Sequence, residues 1–168
     1  SPILVNLLHT NKLFITCQEK MVNIFMEDAY SSAFYNVVKE TQCKSGYDLP
    51  VEIESYIVML LASFIDKPNF VPEKTFAICY LTLQEQSKYD AKTLGDTCLF
   101  VRGVFPNYGS RYGLNKNYYT QIGKSSYESV SEVLHPELFG KLANHFDFLG
   151  DFIQLSVKPN SSFDLKSL

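Results

Sequence analysis

Apolar residues return at steps of three and four along most of this chain, and prolines and glycines cut the pattern into segments of helical length. That combination constrains the fold more than any single motif does. A short amphipathic turn at Leu4, Leu7 and Leu8 precedes one broad face made of Val22, Phe25, Met26, Ala29, Ala33 and Val37. Ser45-Gly46-Tyr47-Asp48 then breaks the pattern, and Pro50 suits the first turn of a new helix. This helix presents Ile53, Tyr56, Ile57, Leu60, Leu61 and Phe64 and ends before Pro68. Pro72 and Glu73 open the next, with a stripe of Phe76, Cys79, Tyr80 and Leu83. A central helix carries Leu94, Cys98, Val101 and Phe105 toward a core shared with Phe146, Leu149 and Phe152, and Pro106 stops it. Asn107 to Asn115 reads as a loop whose Gly109 and Gly113 suit positive φ. Asn115 caps a helix bearing Tyr119, Ile122, Ser126, Val130 and Val133. Pro136 and Glu137 start a final helix with Leu138, Phe139, Leu142, Ala143, Phe146, Leu149, Phe152 and Ile153 on its face.

The sum predicts an all-α fold, a compact single-domain bundle of about six helices over residues 1–157, with 158–168 a frayed tail. The β-branched and aromatic runs LFITC and AFYNVV keep α+β, with strands in the first 40 residues, as the alternative. A chain of 168 residues, 46% hydrophobic and 14% aromatic, has ample material for one packed core.

Charge and motifs narrow the function classes. A net charge of -3 argues against a dedicated nucleic-acid binder, whose phosphate contacts need a basic face. Cys17, Cys43, Cys79 and Cys98 form no CxxC pair and read as reduced thiols, with Cys43 the one expected at the surface. The sequence lacks an apolar run of the ~18 residues a membrane span needs, and its start lacks signal-peptide character, so no membrane insertion and a cytoplasmic location are expected. His9, His135 and His145 show no HxH or HExxH spacing, and His145 with Asp147 and Asp151 matches no metal pattern. No phosphate loop, dinucleotide fingerprint or nucleophile elbow is present. No catalytic residue, metal ligand or cofactor is therefore assigned.

The window Leu94 to Tyr127 holds the candidate site. Between Thr97 and Tyr127 it carries Arg102, Arg111, Lys116 and Lys124 and no carboxylate, so this stretch is +4 and the remainder -7. Arg102 lies within the apolar run CLFVRGVF, where a long cation needs a carboxylate on another helix or serves as an anion hook. Gly95, Gly103 and Gly123 sit inside helices at a cost of roughly 1 kcal/mol each, which close helix approach would explain. Gly123, between Tyr119 and Tyr127 at helical spacing, leaves a notch for a ligand or for a neighbouring helix. Tyr108, Arg111, Tyr112, Tyr118 and Tyr119 cluster in and after the loop and suit recognition of sugar, nucleotide or peptide. The competing reading is that Tyr108 and Tyr112 fold back as a lid on the bundle.

The spacing LGDTCLFVRGVFP, a glycine- and tyrosine-bearing loop, then NYYTQIGKSSY resembles a family of uncharacterised bacterial proteins, over Glu54 to about Leu155. The resemblance implies a helical, cytoplasmic bacterial protein and supplies no catalytic residues. It departs where members have a basic pair after FP and this chain has Gly109-Ser110-Arg111. The functional expectation is a non-catalytic binding or adaptor domain that uses the Tyr/Gly/Arg loop and adjacent helix start, with a protein or a small anionic ligand as partner. The alternative is a small enzyme or sensor with a polar pocket built from Asp96, Arg102, Tyr119 and Tyr127.

Overall fold

The computed structural model describes residues 29–65 and 88–158. The turn at Leu4 to Leu8, the residues Val22 to Met26, the helix opened by Pro72, and the tail after Lys158 lie outside the described residues. All regular structure among the described residues is helical, in six helices, which makes the protein an all-α bundle. These are α1 (residues 29–45), α2 (Val51–Ile65), α3 (Lys88–Val104), α4 (Lys116–Ser131), α5 (Pro136–Asn144) and α6 (Phe146–Val157), with a 3-10 turn at Ser110–Tyr112. Residues 29–40, part of the segment with the strand alternative, are helical. No described helix is long and apolar enough to cross a membrane.

Gly46 ends α1 at φ 74°, its N–H bonded to the Gln42 carbonyl at 2.9 Å, the glycine stop expected after a helix. The buried face of α1 is Val38, Thr41 and Gln42, with Phe34 and Val37 half-buried, so the expected stripe is rotated by one residue and leaves Ala29 and Ala33 exposed. Polar anchoring sets that rotation. The buried Gln42 amide donates to Glu54 at 2.5 Å and accepts from the Leu49 N–H at 2.6 Å, while Lys39 pairs with Glu54 at 2.7 Å. Pro50 precedes α2, and its carbonyl accepts the first N–H groups, from Ile53 and Glu54.

Helix α3 is the centre of the bundle and packs most extensively on α4, then α6. Leu94, Cys98 and Val101 share one buried cluster with Phe146, Leu149 and Phe152, as the periodicity predicts. Phe105 does not join them. The helix releases at Val104, just before Pro106 removes a donor, and the Phe105 ring lies 49% exposed, edge-on to Phe100 at 5.9 Å. Val133 is likewise 62% exposed, because α4 stops at Ser131.

The helix glycines permit this packing. A methyl group on Gly95 would lie 2.6 Å from the Tyr127 ring, and one on Gly103 2.5 Å from Ile153, while the Phe146 ring and Cys98 occupy the space over Gly123. The final helix of the sequence reading is two helices. His145, at φ -105° and ψ 16°, interrupts it between α5 and α6, and the two arms turn one continuous stripe into two packing directions.

Candidate functional site

Arg102 reaches from α3 to α6 beneath the surface. Its guanidinium is 2% exposed and donates from Nη2 to Asp147 Oδ1 at 2.7 Å and Asp151 Oδ1 at 3.1 Å, and from Nε to Asp147 and to Thr120 Oγ1. The slot exists because residue 150 is glycine: a Cβ there would sit 2.5 Å from Nη1. Nη1 alone makes no hydrogen bond among the described residues. Asp147 and Asp151, one turn apart on α6, thus consume the charge that the sequence left open between ion pair and anion hook, and Lys116 stands 3.8 Å from Asp151. Burial pushes the Asp147 carboxyl up, but the Arg102 hydrogen bond and charge outweigh it and hold the group below its ordinary value.

Asp96 belongs to a different group. Its Oδ1 accepts from the Tyr56 hydroxyl at 2.5 Å and the Tyr127 hydroxyl at 2.7 Å, and Lys92 pairs with Oδ2 at 2.7 Å. Burial, then the Asp96 charge, pushes both phenols well above their ordinary range and keeps them neutral donors. The group links α2, α3 and α4. Of the four residues expected to line a polar pocket, Asp96 and Tyr127 thus share one set of partners while Arg102 and Tyr119 belong to two others, and Tyr119 and Tyr127 are fully buried.

The Asn107–Asn115 loop is pinned to the bundle end. Gly109 and Gly113 take φ 74° and 75°, as expected, and Asn115 Oδ1 caps α4 through the Tyr118 N–H at 3.2 Å. The Tyr119 hydroxyl donates to the Tyr108 carbonyl at 2.8 Å, and burial pushes that phenol up to about 12. Tyr108 and Leu114 are half-buried against the core, and Tyr118 lies edge-on to Tyr119 at 5.4 Å. Arg111 is exposed, and Tyr112 lies in the 3-10 turn. Of the residues singled out for binding, Tyr108, Tyr118 and Tyr119 thus meet at one end, while Arg102, Gly123 and Tyr127 are built into the helix packing.

A cleft of about 290 Å³ opens elsewhere, between the α1–α2 connection and the α5–α6 corner. Tyr47, Leu49, Pro50, Ile53, Phe148 and Leu149 form its walls and floor, and the Tyr47 and Phe148 rings meet edge-to-face at 5.2 Å. Asp48, Lys141 and His145, all exposed, stand at its mouth. Lys141 pairs with Glu52 at 2.7 Å, which raises the ammonium group's pKa and lowers the carboxyl's. The break at His145 brings the end of α5 and the start of α6 to the same mouth. Sequence reading missed this cleft because its residues are about a hundred positions apart; the one local sign was Phe148, an aromatic ring off the main α6 stripe. Among the described residues, no group of three His, Cys, Asp or Glu side chains is placed to hold a metal ion. No family model, curated protein or solved structure matches the chain, so the geometry of the cleft and its rim is what defines the candidate site.

Proposed function

We propose that this chain is a binding domain that performs no catalysis, and that its ligand enters the cleft between Tyr47–Ile53 and Lys141–Leu149. One contrast carries the reading. Among the described residues, the polar groups of the central helix are occupied within the bundle, Arg102 with Asp147 and Asp151, and Asp96 with Tyr56 and Tyr127. The cleft instead offers apolar walls with a few charges at the mouth, the usual make-up of a small-ligand site, at the small end of the range of ~300–1,000 Å³. The tyrosine-bearing loop, tied down by the Tyr119–Tyr108 bond, serves as a lid on the core. We place the protein in the cytoplasm, which accords with Cys43 and Cys98 standing outside any disulfide.

Amide NMR spectra recorded with a panel of small aliphatic and aromatic fragments test this. Shifts are expected at residues 47–53 and 141–149. Shifts confined to residues 107–115 would overturn the cleft and return the assignment to the loop.

A further inference from the structure

Resting on that reading, we infer that the cleft takes a free α-amino acid with a large apolar side chain, its ammonium group at Asp48 and its carboxylate at Lys141 and His145. The floor decides the first half. Ile53 and Leu149 are 4% and 1% exposed, and with Leu49 and the Tyr47 and Phe148 rings they offer no charged group to the part of a ligand that enters. A charged group inserted there would lose its water with no opposite charge to meet it, so the inserted part is apolar. A volume of about 290 Å³ suits one bulky side chain with its polar end left at the mouth.

The mouth decides the second half. It presents both signs, with Asp48 as the anion and Lys141, already paired with Glu52, as the cation. A ligand with a single charge meets repulsion from one of them; a zwitterion is complementary to both. Lys141 has capacity for a second anion, since its pair with Glu52 uses one of three donors. His145 makes no side-chain capping bond to α6, which leaves its imidazole to donate to the same carboxylate.

Titration calorimetry on the full chain compares L-phenylalanine with phenethylamine, which lacks the carboxylate, and 3-phenylpropionate, which lacks the ammonium. We expect the amino acid to bind about tenfold tighter than either. Asp48→Asn should reduce it to parity with 3-phenylpropionate, and Lys141→Met to parity with phenethylamine, each with little change in the melting curve, because both side chains are exposed and the Lys141–Glu52 pair lies at the surface. Equal or tighter binding of a singly charged analogue overturns the inference and leaves the cleft as a binding site. So does failure of all three compounds while the fragments still shift residues 47–53 and 141–149. If fragments leave those residues unshifted as well, the binding reading falls with it.

Discussion

Removing the two acids that face Arg102 should harm the protein more than removing Arg102 itself. The asymmetry follows from burial: the guanidinium is 2% exposed, while the side chains of Asp147 and Asp151 are 62% and 24% exposed. Asp147→Ala with Asp151→Ala leaves a buried cation with Thr120 as its one remaining partner among the described residues, and stranding a buried charge in this way costs about 3–5 kcal/mol. Arg102→Met instead removes the desolvated charge, fills the slot over Gly150 with an unbranched chain, and returns Asp147 to water. Asp151 keeps Lys116 at 3.8 Å, so neither acid is stranded as a buried charge and a change within ~1.5 kcal/mol is expected. Urea unfolding followed by far-UV circular dichroism, with the slope checked for constancy, measures both. An Arg102→Met protein that loses as much as the double alanine variant would refute the argument. The pH dependence supplies a second check. Asp147 is held below the ordinary value of 3.8, so its contribution is complete above that value and lost as pH falls through the lower folded one. The Arg102→Met protein should lack this part of the acid-induced loss.

Two further stability comparisons test the packing. Gly123→Ala should destabilise by about 2 kcal/mol despite its better helix propensity, because the new methyl meets the Phe146 ring and Cys98, whereas Gly140→Ala, with nothing within 4 Å of the new atom, should stabilise by roughly 0.5–1 kcal/mol; thermal melts that rank them the other way would contradict the close approach. Phe105→Ala should cost no more than about 1 kcal/mol against about 3–5 for Phe152→Ala, since the first ring is 49% exposed and the second 0%; equal losses in urea unfolding would place Phe105 back in the core.

Most of the helix plan was legible because it depends on local chemistry. Gly46, Pro50, Asn115 and Pro136 mark boundaries through backbone conformation and hydrogen bonding that need no distant partner. The failures have several causes. Phe105 and Val133 continue the apolar spacing past the last helical residue, so periodicity assigned them to a face the backbone had already left. The Ala29–Ala33–Val37 stripe was displaced by Gln42 and Glu54, a polar contact between helices that hydrophobicity does not encode. At the candidate site the sequence identified Arg102 as a charge in need of a partner but not Asp147 and Asp151, though two acids one turn apart in FDFLGDFI were a usable sign. The cleft depends on how the α1–α2 connection meets the α5–α6 corner, and no spacing along the chain reports that.

The interruption at His145 also bears on how the molecule acquires its structure. An unbroken helix from Pro136 to Val157 would have had the length to persist by itself; divided, its arms have 9 and 12 residues, at or below the ~12–15 at which an isolated helix becomes marginal in water. Neither arm has an autonomous reason to form. Each gains its hydrogen bonds only as Phe139, Phe146 and Phe152 dock on α3 and α4, so the C-terminal third of the bundle assembles with the rest in one cooperative step.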